Sequence, residues 1–164
     1  MLQILRRVCE VNYPQLMFIY EESNLGYGKK YSRSSNPWEQ LRFGEDFLRD
    51  DIAAFLKEEG SILALWHAEG RPVSAMRLQP YADGFLLTCL ETAREARGKG
   101  AAKSLILHTI CDFEAERIYS HIRKDNVVSL SLHRSIGFGI IKDYAVLLDG
   151  TVSHLFYTLC YDRK

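Results

Sequence analysis

The sequence has little that would commit it to an unusual class of protein. It has no net charge, because 21 Lys and Arg balance 21 Asp and Glu. A broad nucleic-acid surface is not expected, since gripping a phosphate backbone needs a clustered positive excess. A local anion site stays open. The four cysteines, Cys9, Cys89, Cys111 and Cys160, form no C-x-x-C pair. Neither a zinc site nor a disulfide framework is suggested, and no metal is expected. Isolated cysteines usually pack as small core residues. No apolar run approaches the ~18 residues of a membrane span, and the opening MLQILRRV lacks the apolar stretch of a signal peptide. No membrane association is expected, and the cytoplasm is the default compartment. Repeats and low-complexity linkers are missing too. What remains is 164 residues, 47% hydrophobic and 26% charged. That suits a single domain over residues 1–164 with an apolar core.

Punctuation and periodicity divide the chain. Residues 2–8 read as a short strand. Asn12 caps a helix with Pro14 in its first turn, and Leu16, Ile19, Tyr20 and Ser23 keep a helical spacing. The stretch GYGKKYSRSSNP, rich in Gly and Ser, predicts a loop. Asn36-Pro37 opens a second helix with Leu41, Leu48, Ile52 and Phe55 on one stripe, and Gly60 ends it. Three strands follow, at Ile62–Ala68, Val73–Leu78 and Phe85–Thr92. Glu69-Gly70 and Asp83-Gly84 mark the turns of this antiparallel meander. Glycines and alanines at 98–102 lead into a helix to about Ala115, with Ala102, Ile106, Ile110 and Phe113 on its buried face. A strand at Ile118–Ile122 completes a strand–loop–helix–strand unit, the kind that makes a parallel pair. A short helix runs from Asp125 or Asn126 to Ser135 and stops at Gly137. Two last strands, about Phe138–Leu148 and Val152–Tyr161, meet at Asp149-Gly150.

The segment Arg97-Gly98-Lys99-Gly100-Ala101-Ala102-Lys103-Ser104 follows a strand and opens a helix. A helix start offers unpaired N–H groups and partial positive charge, and glycines let the backbone approach a ligand. A phosphate cradle is one reading, and a strand–helix turn that happens to hold two glycines is the other. Two better-known phosphate motifs fail. A Walker loop needs G-x-x-x-x-G-K-[ST], but Ala102 precedes Lys103-Ser104 and Arg97 holds the leading glycine position. A dinucleotide fingerprint needs G-x-G-x-x-G, and its third place here is Lys103.

With these residues the chain resembles the GNAT superfamily of acyl-CoA-dependent N-acetyltransferases. The family's loop signature, [QR]-x-x-G-x-[GA], is matched by Arg97, Gly100 and Ala102. A second signature is matched by Asn126, Ser129, His133 and Gly137-Phe138. The element order fits across nearly the whole length. The resemblance implies a single α/β (α+β) domain with a mixed, mostly antiparallel sheet of six or seven strands. One splayed parallel pair and about four flanking helices belong to that fold. Acetyl-CoA is the implied co-substrate. Its pantetheine arm would pair with backbone around Leu90–Ala93, taking in Thr92. Its pyrophosphate would sit on N–H groups of Gly98, Lys99, Gly100, Ala101, Ala102 and Lys103, with Arg97 and Lys99 adding charge. Asn126 and Ser129 would border the coenzyme. The sequence departs from the family pattern twice. Thr92-Ala93-Arg94 stands where Val-x-Pro is usual, and His133 stands where a Tyr often serves as acid for the departing thiolate.

Transfer from a thioester to an amine needs a neutral amine, donors for a developing oxyanion and a proton for the thiolate. Strand N–H groups near Leu90–Thr92 are candidate donors. His133 is the candidate acid, since it shares a helix face with Asn126 and Ser129 at spacings of three and four. A surface histidine packed beside Ser129 and Ser135 is the plainer reading. His121 and Glu91 are both candidate bases. His121 lies near the end of a strand, on one face with Tyr119 and Arg123. Glu91 interrupts the apolar run Leu-Thr-Cys-Leu-Glu-Thr, where a carboxylate either faces solvent or is held for a purpose. Tyr27, Tyr31 and Trp38 lie where the family shapes its acceptor pocket, and ordinary loop packing explains them as well. His67, His108 and His154 have no motif context. The expected acceptor is a small-molecule or peptide amine. The terminal strands leave a sheet edge that could support a homodimer.

Overall fold

The computed structural model describes residues 1–113 and 116–163. Its elements in chain order are β1 (Leu2–Leu5), α1 (Tyr13–Ile19), α2 (Glu21–Tyr31), α3 (Pro37–Phe55), β2 (Ile62–Ala68), β3 (Arg71–Tyr81) and β4 (Gly84–Thr92). There follow α4 (Ala101–Phe113), β5 (Arg117–Arg123), α5 (Val127–Ile136), β6 (Gly139–Lys142), β7 (Ala145–Val146), β8 (Val152–Ser153) and β9 (Phe156–Asp162). Seven strands form a mixed sheet in the order β1-β2-β3-β4-β5-β9-β6, and β7 and β8 form a separate small hairpin. The pair β4–β5 is parallel, and the other pairs in the sheet are antiparallel. This is the mixed, splayed sheet with flanking helices expected from the sequence, with five helices among the described residues.

Local chemistry explains most helix starts. Asn12, Asn36 and Asn126 each accept a backbone N–H within the first turn, at 3.3, 2.9 and 3.1 Å. Capping of this kind typically contributes about 1 kcal/mol. Gly137, at φ 113°, takes the left-handed conformation that ends α5.

The sequence reading needs correcting in four places. The first strand stops at Leu5, and a 3-10 turn at Val8–Glu10 follows. The predicted loop from Gly26 is helical as far as Tyr31. Gly28 of that stretch is a packing residue: a Cβ there would lie 1.7 Å from the Gln40 carbonyl oxygen, and one on Gly44 of α3 would lie 2.0 Å from that of Asn24. The two helices touch backbone to backbone there. Each of the two long last strands breaks in two, with the β7–β8 hairpin between β6 and β9. Cys9, Cys89 and Cys111 are exposed and Cys160 is half-buried, so the cysteines are not core residues. The expected end of α4 at Ala115 lies outside the described residues.

Two apolar clusters hold the sheet from opposite faces. Leu105, Ile106 and Ile110 of α4 pack with Met76, Leu78, Leu87, Ile118, Ile122 and Leu159. On the other face, Leu16, Ile19, Tyr20, Leu48, Ile52 and Phe55 cover Leu5, Leu63, Leu65 and Ala75. The second cluster draws on β1, β2 and β3 only. On that side, α1–α3 do not extend their apolar cover over β4 and β5.

Candidate functional site: a cleft at the splayed strands

β4 pairs with β5 only over Phe85↔Ile118, Leu86↔Tyr119 and Leu87↔Ser120. Beyond Leu87 the strands part. The cause lies on β4's other edge. Arg77 pairs with Thr88 and Ala75 with Glu91, so Cys89 and Leu90 together oppose Met76. This is a β-bulge, which bends its strand and increases the local twist. Cys89 carries φ +50°, and its carbonyl accepts the Tyr20 hydroxyl at 2.7 Å. The Ala93 N–H donates to Val73 at 2.9 Å. Backbone groups alternate along a strand, so those of Leu90 and Thr92 face the gap left by β5. Ala93 faces β3, is buried and is already paired. It drops out of the expected coenzyme contacts.

The gap opens into a cleft of about 510 Å³, lined by Leu90, Glu91 and Thr92 of β4, by Ala96–Gly98 and Gly100–Lys103, and by Asn126, Val128, Ser129 and Leu132 of α5. Most of the expected coenzyme residues therefore meet at one place, and Lys99 is outside it. Gly98 and Gly100 sit at φ +72° and +80°, which glycine adopts without strain. A Cβ built on either would meet nothing within 4 Å, so the space above them is open. The first bond of α4 runs from the Ser104 N–H to the Gly100 carbonyl at 2.9 Å. That leaves the N–H groups of Ala101, Ala102 and Lys103 without intrahelical acceptors, on a helix of 13 residues. Unpaired donors, open space and the positive end of a helix dipole fit a pyrophosphate.

Three contacts that no sequence pattern announced brace the cleft. Arg97 donates through Nε to the Thr92 carbonyl at 3.0 Å and pairs through Nη2 with Glu22 at 2.6 Å. Ser23 donates to the Glu91 carboxylate. α2 thus holds both the coenzyme loop and the free end of β4. Burial raises the Glu91 carboxyl above its ordinary pKa, opposed by the Ser23 hydrogen bond and the Arg97 charge. A further ion pair, Arg77–Asp51 at 2.6 Å, sits beside the bulge. Its signal was Arg77 interrupting an apolar strand. Val128 and Leu132 were also missed, and their signal was an apolar pair one turn apart beside a cap.

The two histidines are not in the cleft. His133 is 1% exposed and lies edge-on to Phe138 at 4.9 Å. Its Nδ1 is 2.9 Å from the Ser129 carbonyl, which can only accept. Nδ1 therefore carries the proton, and Nε2 is a buried lone pair without a partner. Burial lowers the His133 pKa. A neutral imidazole shut in this way lines no part of the cleft, and the expected surface position is not met. His121 lies on the sheet face away from α4, edge-on to Tyr81 at 5.4 Å. Its pKa is also lowered, first by burial and then by the nearby Lys142 charge. Tyr27 and Tyr31 pack together at 4.5 Å on α2, while Trp38 is 79% exposed. No group of three or more His, Cys, Asp or Glu able to hold a metal occurs among the described residues. No helix there is long and apolar enough to cross a membrane.

The fold recurs in solved structures. PaiA N-acetyltransferase from Thermoplasma acidophilum, in complex with coenzyme A, is 12% identical, with 99% of each chain covered and a TM-score of 0.67. PH1933 from Pyrococcus horikoshii OT3 is 14% identical over 100% of this chain and 99% of that one, with a TM-score of 0.69. The ribosomal-protein-S18-alanine N-acetyltransferase from Escherichia coli is 15% identical over 99% and 94%, with a TM-score of 0.61. No curated protein matches the sequence significantly. The model of the acetyltransferase (GNAT) family matches residues 16–138, a stretch that contains the bulged strand, the phosphate loop and α5. The chain belongs to the GNAT acetyltransferase family.

Proposed function

We propose that this chain moves an acetyl group from acetyl-CoA directly onto a primary amine of a small molecule or peptide, with no acyl-enzyme on the way. The observation that carries this reading is the meeting, in one cleft, of a phosphate-binding helix start and the unpaired edge of a splayed strand. The N–H groups of Gly98 and Gly100–Lys103 hold the pyrophosphate. The gap-facing groups of Leu90 and the N–H of Thr92 are free to pair with amides of the pantetheine arm, and Val128 and Leu132 flank it with apolar surface. Asn126 and Ser129 border it. Bound acetyl-CoA supplies an activated acyl carbon. In the transfer a C–N bond replaces the C–S bond, and the proton released by the amine must be taken up.

Glu91 is the base in this reading. It lines the cleft, it is pinned by Ser23, and burial raises its proton affinity. An amine resting near pKa 10.4 is mostly protonated, so a nearby carboxylate both attracts the ammonium and helps remove its proton. His121 is the weaker candidate because it lies outside the cleft. His133 is assigned to packing, since its unprotonated Nε2 has nothing to donate.

Calorimetry with acetyl-CoA and with ATP tests the reading. Acetyl-CoA should bind more tightly. Gly100→Val should weaken that binding about tenfold or more, through a branched side chain at positive φ in the cradle. Tighter binding of ATP overturns the coenzyme assignment. Thiol release across an amine panel tests the chemistry, and a ping-pong rate pattern rules out direct transfer.

A further inference from the structure

The face of the sheet turned away from α4 is only partly covered. The apolar cluster under α1, α2 and α3 ends at β3. Next to it, Thr88 and Glu91 are half-buried and Cys89 is exposed, although β4 is a central strand. A trough therefore runs beside α2 and α3, with Glu91 where the trough meets the coenzyme cleft.

Its rim closes on itself. Glu91 accepts from Ser23. One turn along α2, Tyr27 stacks on Phe47 of α3 at 4.1 Å and 17° between planes. Phe43 lies nearly parallel to Tyr27, with centroids 6.1 Å apart. One turn beyond Phe47, Asp51 pairs with Arg77 at 2.6 Å. Arg77 faces Thr88 in the β3–β4 register, and Thr88 leads back along β4 to Glu91. Tyr27 thus sits one helical turn, roughly 5.4 Å along α2, from the serine that holds the carboxylate. Phe47 is 46% exposed and Phe43 is 43% exposed, so ring surface stays free.

The charges narrow the acceptor further. Glu22 is paired with Arg97, and Asp51 with Arg77. Glu22 also lies 3.9 Å from Arg94, and Glu91 is the carboxylate of this rim with no ion pair of its own among the described residues. Lys142, close enough to depress His121, adds a positive charge on the far side. One carboxylate suits one ammonium. A triamine would bring surplus positive charge toward Lys142.

Resting on the acetyltransferase reading with Glu91 as base, we propose that the acceptor is an arylalkyl primary amine. It carries a single positive charge, its nitrogen at Glu91 and its ring, on a short alkyl spacer, laid on Tyr27 and Phe47. Aromatic stacking of this kind adds binding beyond area burial.

The test is thiol release at saturating acetyl-CoA with 2-phenylethylamine, propylamine, spermidine and an alanyl peptide. The expected result is a kcat/KM for 2-phenylethylamine about tenfold above each of the others. Phe47→Ala should remove most of that preference, chiefly through KM, and Phe47→Leu should restore only part of it. Circular dichroism and acetyl-CoA affinity of both variants should match the parent protein. A preference for spermidine or the peptide overturns the proposal, as does an equal loss for all acceptors in Phe47→Ala. If acetyl-CoA binds normally and these results fail, the acceptor assignment alone is wrong. If acetyl-CoA does not bind, the acetyltransferase reading falls and takes this proposal with it.

Discussion

Glu91 is a carboxylate held partly out of water, by a serine 68 residues earlier in the chain. Its raised pKa has two consequences of opposite value. Removing an amine proton needs the carboxylate form, so kcat/KM should climb as pH rises through the Glu91 pKa. Glu91→Gln should abolish that limb and lower kcat about a hundredfold, with acetyl-CoA affinity retained. A carboxyl whose pKa is higher in the folded state than in the unfolded chain contributes stability that is full below its unfolded value and lost as pH rises through the folded one. At neutral pH Glu91 therefore weighs against the fold, and Glu91→Gln should raise the melting temperature while losing turnover. A thermal melt at pH 7 beside initial rates checks both. Stability given up for activity at one residue is a usual mark of a functional site. Glu91 stood out in the sequence because it interrupted an apolar strand. Ser23 and Glu22, which hold Glu91 and Arg97, had no such signal because their partners are distant along the chain.

At the scale of elements, α2 is the piece whose role the sequence concealed. Its second half, with Gly26 and Gly28, reads as loop by propensity. Tertiary contact overrides that reading. Gly28 and Gly44 let α2 and α3 approach until backbone meets backbone, and this contact sets where Tyr27 and Phe47 stack. Gly28→Ala is expected to destabilise the protein by about 3 kcal/mol despite the better helix propensity of alanine, because a Cβ there has backbone rather than a movable side chain in its way. Denaturant unfolding of the variant against the parent protein measures this. A neutral or stabilising result would mean the helices can part without loss. The bulge in β4 was equally hidden. Nothing in Thr88-Cys89-Leu90 calls for a non-glycine residue at positive φ, and the conformation depends on Tyr20 reaching across to the Cys89 carbonyl.

Across the whole molecule, three histidines share one response to pH. His67, His121 and His133 all have lowered pKa values, each chiefly through burial. The folded state resists protons that the unfolded chain accepts near pH 6.5. The stability tied to these groups is therefore full above that value and lost as pH falls through it toward the lowered folded values. The urea midpoint should drop between pH 7 and pH 5.5, and His133→Phe should flatten part of the slope. A midpoint independent of pH across that range would contradict the burial of these rings.

Sequence by itself determined what depends on neighbours along the chain. The three asparagine caps, the turn at Glu69-Gly70, the stop at Gly137, the strand–loop–helix at 85–113 and the family to which the motifs belong are all set by residues within a few positions of one another. Tertiary structure alone decided what depends on groups brought together from afar. It joined the rim from Glu91 through Ser23 and Tyr27 to Phe47, and it buried His133 against Phe138, away from the cleft lining. The loop at Arg97–Lys103 lies between these cases. Its glycines and helix start could be read from the sequence, but the strand edge that makes it one side of a cleft exists only because a bulge parts β4 from β5.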